Sequence, residues 1–445
     1  MASDRPETQH PRHGKLSAPD TGGADQRLHA LDALRAVAMQ LGLVLHAAIP
    51  FMRGEVAGSI PFMEANVAFW PAADRAEHAG FDFVVYLIHA FRMPAFFVMA
   101  GFFAHLLYRK RGARTFAKQR LLRIGLPYVV ALVVIIPIGL GVWFYGWGVR
   151  AEMEGPDFAA AVAQHVVDSD YSPMHLWFLH YLIVMYLVTL LVLAIGGRMQ
   201  AAGYGPKLDG GARRLLASPW GILALTAVAI PPMLGMREWT SDTPYTFLPQ
   251  VHLLAFYGLF YLFGWLLYPQ RDLLGQFATR SGWHLVLGIL LVLPLLTLVL
   301  GPAWRDAAGQ ERALLDVLGR GMYALLTWLL TLGMIGIFLR FFDRPSATMQ
   351  YLADAAYWMY IIHLPVVALL NIAVAGWELP GVVKMVGVVL VSGGLLLASY
   401  QLGVRHTIVG RILNGPRAGA RGGGAGGSDQ GRQPWLERAD SVASA

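Results

Sequence analysis

The chain has 445 residues, of which 56% are hydrophobic and 14% are charged, with a formal net charge of +7. A soluble domain carries about 25% charged residues, so this composition excludes an ordinary soluble globular protein. Apolar runs of roughly 20 residues, the length of a helix that crosses a bilayer, recur along the sequence. The absence of cysteine excludes thiol nucleophiles, thiolate metal ligands and disulfides. The predicted fold class is therefore all-α, a polytopic integral membrane bundle.

The sequence predicts ten transmembrane helices between two polar tails. Residues 1–29 form a predicted cytoplasmic tail, 30–412 the transmembrane domain and 413–445 a disordered cytoplasmic tail rich in Gly, Ser and Arg. The predicted spans are 31–52, 81–107, 124–147, 174–196, 219–235, 251–268, 283–301, 321–339, 355–375 and 385–403.

The distribution of basic residues predicts the orientation of these spans. Alternating connections, beginning with the N-terminal tail, hold 25 Lys and Arg residues, and the other connections hold 8. Basic residues are retained on the cytoplasmic side, so we expect both termini in the cytoplasm. The positive charge therefore reflects membrane topology, and no nucleic-acid partner is predicted.

The first predicted span, ALDALRAVAMQLGLVLHA, carries Asp32, Arg35 and His46. An ionisable group in hydrocarbon costs on the order of 3 kcal/mol and needs a partner or a purpose. Arg35 and His46 share one helical face, about 16 Å apart along the axis. Asp32 can pair with Arg35 as an i, i+3 neighbour. Two interpretations remain open: a structural ion pair with a hydrogen-bonded histidine, or a functional Arg–His face.

The second span adds His89 and Arg92 near mid-depth. Because they are three residues apart, their side chains share a helical face. Arg92 needs an anionic partner, a ring of carbonyl groups or a wet cavity at that depth, which favours a functional role. We predict that both residues contact substrate, whereas His105 near the cytoplasmic end has an ordinary structural role.

The next connection, YRKRGARTFAKQRLLRIGLPYV, is strongly basic. A topology signal and contact with anionic lipids account for most of these charges. Arg120 and Arg123, however, are three residues apart on the helix that enters the membrane. The planar fork of a guanidinium matches phosphate oxygens, so the pair is a predicted phosphate clamp.

Two more histidines are predicted to contact substrate. His175 begins the fourth span, at its external mouth, and His363 lies in the ninth beside Pro365. Imidazole titrates near neutral pH, which suggests proton handling. No pair has the spacing of a helical metal site such as H-E-x-x-H, so we predict no metal and no tightly bound cofactor. Trp177 fits either an interfacial aromatic belt or a sugar-stacking surface.

Four motifs in order resemble the acyltransferase-3 family of bacterial integral membrane proteins. They are LDALRAVAMQLGLVLHA, with an Arg and a His separated by ten residues, FFVMAGFFA, RLLRIGLPY and YWMYIIHLP. FRMPAFFVMAGFFAHLL and MHLWFLHYL also resemble the subgroup that adds succinyl groups to periplasmic glucans. The chain departs from many relatives at Ala100-Gly101, where they have Ser-Gly, so no serine acts at that position.

The resemblance implies a membrane O-acyltransferase of the bacterial inner membrane. The family moves an acyl group, such as acetyl or succinyl, from a cytoplasmic acyl-CoA to a hydroxyl of an extracytoplasmic glycan or small molecule. Carried over, it implies that His46 is the catalytic base, Arg35 its motif partner, and Arg120 and Arg123 the donor-binding pair. Membrane lipids and glycan-assembly proteins of the envelope are the further expected partners.

Other functions remain open from the residues themselves. A transporter or flippase of an anionic or glycosidic substrate would also place Arg and His near the membrane midplane. A passive scaffold would leave Arg35, Arg92 and His46 unexplained. Without cysteine, direct attack on the donor is favoured over an acyl-imidazole intermediate.

Overall fold

The computed structural model describes residues 29–53, 69–168, 172–201, 205–237, 239–244, 246–300 and 306–415, and every regular element in these ranges is helical. The predicted N-terminal tail up to residue 28 and residues 416–445 of the C-terminal tail lie outside them. The α-helices are α1 (His29–Ala48), α2 (Ala79–Arg120), α3 (Leu126–Glu154), α4 (Pro156–Asp168), α5 (Trp177–Ala201), α6 (Gly205–Ala217), α7 (Gly221–Met233), α8 (Val251–Leu267), α9 (Leu274–Leu300), α10 (Gly309–Phe341), α11 (Ala347–Val374), α12 (Gly381–Ser399) and α13 (Ile408–Asn414). Short 3₁₀ segments are Ile49–Phe51, Met174–Leu176 and Tyr268–Leu273, and π-helical segments are Leu121–Gly125 and Tyr400–Val404.

The all-α membrane class is confirmed, and each predicted span falls on a helix. Within the described residues, 7 helical runs are long and apolar enough to cross a membrane. Two of them each cover two predicted spans: Ala79–Glu154, and Val251–Leu298, which includes the span 283–301 as far as residue 298. The fifth predicted span, 219–235, overlaps the second helix of a pair bent by 106°, Gly210–Ala217 and Gly221–Met233, and the count rises to 8 if this pair is one span. The count of ten and the location of both termini stay predictions.

The first helix lies inside the bundle. α1 packs against α2, α10, α11 and α12, and Leu34 and Leu43 on it are 0% exposed. By contrast, α3 exposes Val129 and Val133, at 56% and 70%, as an apolar outer surface suited to lipid contact. The helix that carries Arg35 and His46 is therefore enclosed by other helices.

Helices α2 and α8 approach each other closely through glycines. A Cβ built on Gly101 would overlap the backbone carbonyl of Tyr261, and one on Gly264 would overlap that of Val98. Small residues allow this close packing in membranes, where burial of apolar surface gives little drive for helix association. Gly101, which follows the Ala100 that replaces the serine of many relatives, thus has a packing role.

A bend in α2 turns the chain at the predicted phosphate clamp. Gly112 has a φ of 73°, a left-handed conformation that favours glycine. The last turns of α2 then lead into the π-helical segment Leu121–Gly125, and Pro127 follows within the first turn of α3. Arg120 and Arg123 lie at this junction between two helices rather than within one straight helix.

Candidate active site

Five arginines from four parts of the sequence line one cavity of about 860 Å³, called here the arginine cavity. They are Arg35, Arg92, Arg120, Arg123 and Arg405. In the described part of the chain, the carboxylates that line the cavity are Asp32 and Asp354. Arginines therefore outnumber carboxylates on its walls, and the cavity suits a polyanionic ligand.

The structure brings both members of the predicted clamp to this cavity. The Arg120 guanidinium lies 4.9 Å from the ring centroid of Tyr186 and 5.4 Å from that of Phe116. Its Nε is buried and has no hydrogen-bond partner among the residues that the structure describes. The guanidinium of Arg123 lies against Gly415: a Cβ built on this glycine would overlap the guanidinium. Arg120 is thus held by aromatic faces rather than by a carboxylate, which leaves donor capacity for a ligand.

Arg35 combines the two interpretations drawn from the sequence. Its Nη2 lies 3.2 Å from Asp32 Oδ1 and donates to the carbonyl oxygen of Ala353 at 3.1 Å. The structural ion pair therefore exists. Arg35 also lines the cavity and is 36% exposed, so the same side chain is available to a ligand.

Arg92 links the cavity to the first helix. A Cβ built on Gly42 would overlap Arg92 Nη1, so the guanidinium lies directly against α1. Gly42 is one helical turn before His46. The Nε of Arg92 is buried and has no hydrogen-bond partner among the described residues. Arg92 therefore brings positive charge from the cavity to the turn of α1 next to His46.

Three histidines from different elements form a cluster. The rings of His46 and His363 have centroids 5.2 Å apart, and those of His363 and His175 are 5.1 Å apart. His363 Nδ1 donates to the Tyr360 carbonyl oxygen at 2.8 Å, and His175 Nε2 donates to that of Ile361 at 2.9 Å. In neutral imidazoles with these hydrogen bonds, His363 Nε2 and His175 Nδ1 are the nitrogens that can accept a proton.

The ring of His46 is oriented by its surroundings. It stacks on Trp70 with centroids 5.9 Å apart and an angle of 4° between the planes. Asn371 Nδ2 donates to the backbone carbonyl of His46 at 3.2 Å, which fixes α1 against α11 at this level. His46 Nδ1 is buried without a hydrogen-bond partner in the described part of the chain.

The loop that carries Trp70 is anchored to three positions. Arg150 Nη1 donates to the Trp70 carbonyl oxygen at 2.7 Å, and Trp147 Nε1 donates to that of Phe69 at 2.9 Å. Lys384 Nζ and Asp74 Oδ2 form an ion pair at 2.6 Å, with both side chains almost fully buried. These contacts hold Trp70 against His46.

His89 contacts a neighbouring loop rather than the arginine cavity. Its Nε2 donates to the Ser241 carbonyl oxygen at 2.8 Å, and Ser241 Oγ is 3.1 Å from the Tyr323 hydroxyl. His89 does not line the arginine cavity. His105, expected to be structural, bonds the carbonyl oxygen of Trp265 at 2.7 Å. Both histidines join α2 to neighbouring segments.

Sequence reasoning missed Trp70 and Arg405. Trp70 is distant in sequence from every motif, and Arg405 counts only as one more basic residue after the last span. Arg405 lies with its guanidinium 5.0 Å from the Tyr351 ring centroid and donates to Gln401 Oε1 at 2.8 Å. Among the residues that the structure describes, no group of three or more His, Asp or Glu side chains could hold a metal ion.

Comparison with known proteins gives the family. The sequence profile of the acyltransferase-3 family, described as an acyltransferase domain, matches residues 28–402. Glucans biosynthesis protein C of Salmonella schwarzengrund is 21% identical over 392 residues, covering 87% of this chain and 95% of that protein. The protein of the same name from Salmonella paratyphi A is 22% identical over 393 residues, with the same coverage. No solved structure matches. Because the profile spans most of the sequence, the chain belongs to the acyltransferase-3 family of membrane acyltransferases.

Proposed function

We propose that the protein transfers an acyl group from a cytoplasmic acyl-CoA to a hydroxyl of an extracytoplasmic glycan or small molecule, with His46 as general base. The protein is an acyltransferase that transfers groups other than aminoacyl groups. This family membership favours an enzyme over the transporter and scaffold alternatives. The donor, the acceptor, the inner-membrane location and the roles of individual residues are the proposed parts.

One observation supports this function above the others. The arginine cavity extends from the clamp residues Arg120 and Arg123 to Arg92, whose guanidinium lies one turn from His46 on α1. Coenzyme A is polyanionic at its nucleotide end and thin along its pantetheine arm. Its phosphates would lie at the clamp, and the arm would pass Arg35 toward Arg92.

The proposed chemistry at the His46 end of the arginine cavity follows from the side chains present there. His46 takes the proton of the acceptor hydroxyl as its oxygen attacks the thioester carbonyl carbon. Negative charge develops on the carbonyl oxygen, and the Arg92 guanidinium is placed to stabilise it. The carbon–sulfur bond then breaks, and the proton passes from His46 to the leaving thiolate of CoA.

The acceptor side is inferred from the histidine cluster. His175 lies at the start of the segment that leads into α5 and reaches His46 through His363. An acceptor approaching from this side would meet the donor at His46. The relatives named for glucan biosynthesis favour a glucan as acceptor.

A direct test uses purified protein in detergent without any ion gradient. We expect it to transfer a labelled acyl group from acyl-CoA to an oligoglucoside, and Arg120→Ala or Arg123→Ala to weaken donor binding about ten- to a hundredfold. Lys118→Ala is the matched control, because Lys118 lies two residues before Arg120 in α2 and does not line the cavity. Donor affinity that is unchanged in both arginine variants would refute the clamp.

Mass spectrometry of envelope glycans from cells with and without the protein identifies the acceptor. We expect an ester-linked acyl group that disappears with the protein. Identical acylation in both samples would refute a glycan acceptor.

A further inference from the structure

A second, smaller pocket of about 290 Å³ lies beside the arginine cavity and is called here the side pocket. It is lined by Lys110, Arg111, Gln119 and Arg123, by two leucines of α2 and by the end of α13. Among the described residues that line it there is no Asp or Glu. This positively charged lining suits a compact anion.

The bend at Gly112 forms the side pocket. Lys110 and Arg111 precede this bend, whereas Gln119 and Arg123 follow it, so the two stretches face each other across the pocket. Gln119 is 6% exposed, and its Nε2 is buried without a hydrogen-bond partner in the described residues. A buried amide donor with nothing to bond is costly unless a ligand or water accepts from it.

The side pocket and the arginine cavity share part of their walls. Arg123, Asn414 and Gly415 line both. Asn414 Nδ2 donates to the Asp354 carbonyl oxygen at 2.8 Å, which fixes α13 at this boundary. A ligand with two anionic groups can therefore reach both spaces at once, with Arg123 between them.

We propose that the side pocket is a phosphate-monoester subsite that takes the 3′-phosphate of an acyl-CoA donor; this rests on the function proposed above. In coenzyme A the diphosphate continues into the pantetheine arm, so it must lie in the cavity that leads toward His46. The 3′-phosphate is a branch that ends at the ribose. A separate basic side pocket next to Arg123 fits this branch.

The experiment compares two donors in nanodiscs of phosphatidylcholine alone, which contain no phosphate-monoester lipid. Acetyl-CoA and acetyl-3′-dephospho-CoA differ only in the phosphate. For the wild-type protein we expect kcat/KM to be about ten- to a hundredfold higher with acetyl-CoA. In the Lys110→Gln/Arg111→Gln double variant this preference should fall toward unity, while kcat/KM with the dephospho donor stays at the wild-type value.

Arg114→Gln is the matched control, because Arg114 is an exposed basic residue of α2 outside both spaces. It should keep the wild-type preference. The subsite is refuted if the wild-type protein uses both donors equally, or if the double variant keeps the preference. Failure of the proposed function gives a different result, in which the wild-type protein binds neither thioester.

A lipid headgroup could supply the same phosphate monoester, and native mass spectrometry with phosphatidic acid separates the two sources. We expect equal lipid retention by the wild-type protein and the double variant. Loss of retained phosphatidic acid in the double variant, with unchanged donor preference, would assign the side pocket to lipid and overturn its assignment to the donor.

Discussion

Gly42→Ala would disturb the proposed oxyanion stabiliser without altering any charged group. The new Cβ would overlap Arg92 Nη1, the far end of a flexible side chain, so the guanidinium must move while the backbone of α1 stays in place. We therefore expect the folded protein to survive and Arg92 to leave its position beside the turn that carries His46.

The expected size follows from the contact that is lost. A hydrogen bond between a guanidinium and a developing oxyanion is charge-assisted and contributes about 1.5–3 kcal/mol. Each 1.4 kcal/mol changes a rate about tenfold, so kcat should fall about ten- to a hundredfold. The clamp is untouched, so acyl-CoA affinity should stay close to that of the wild-type protein. Rapid-quench measurement of acyl transfer, with donor binding measured separately, distinguishes the two quantities.

Gly258→Ala is the matched control, because a Cβ at this glycine of α8 would meet nothing within 4 Å. It should transfer acyl groups at the wild-type rate. Wild-type kcat in Gly42→Ala would refute the placement of Arg92 at the reacting carbonyl.

Three further outcomes are expected. Arg35→Lys keeps the charge for its ion pair but loses the planar fork, so transfer should fall at least about tenfold, and a fully active variant would leave Arg35 with a structural role only. Lys384→Met leaves Asp74 buried without its partner and should destabilise the protein by about 3–5 kcal/mol, measured as a lower thermal midpoint in detergent. Adding Asp74→Asn should recover part of that loss, and no recovery would contradict the pairing. Single cysteines at Ala113 and Gly155 should react with an impermeant reagent from opposite sides of the membrane, and labelling of both in intact cells would contradict the predicted orientation.

The positions of the helices could be predicted from the sequence because each needs a run of apolar residues. The helix bounds depend on local composition, which is visible in the chain itself. The number of crossings could not be settled in the same way. Ala79–Glu154 continues through the bend at Gly112 and a π-helical segment, and the pair at 210–233 bends by 106°. Such bends depend on tertiary packing as well as on single residues.

The candidate site was predicted in part. Arg35 and Arg92 are predicted because charge inside a membrane needs a purpose, and Arg120 and Arg123 because paired guanidiniums match a phosphate. The structure places all four on one cavity. The hydrogen-bond partners of the histidines could not be predicted from the sequence. The bond from Asn371 to the carbonyl of His46, for example, joins residues 325 positions apart. Helical periodicity relates residues within one helix and contains no information about contacts between distant helices.

The loop that His89 contacts could not be predicted from its helical face. His89 is three residues from Arg92, and the sequence predicted that both contact substrate. In the structure Arg92 lies against α1, whereas His89 bonds the Ser241 carbonyl oxygen in a loop before α8. Helical periodicity places both side chains on one face but does not say which neighbouring segment each one contacts, and the substrate roles of both stay predictions.

Single-turnover transfer by His46→Gln tests the central claim most directly. Glutamine keeps hydrogen-bonding capacity but cannot accept the proton, so transfer should slow by about 10²–10⁴-fold while acyl-CoA binds with wild-type affinity. Transfer at the wild-type rate in this variant would contradict the account, and the base would then have to be sought at His363 or His175.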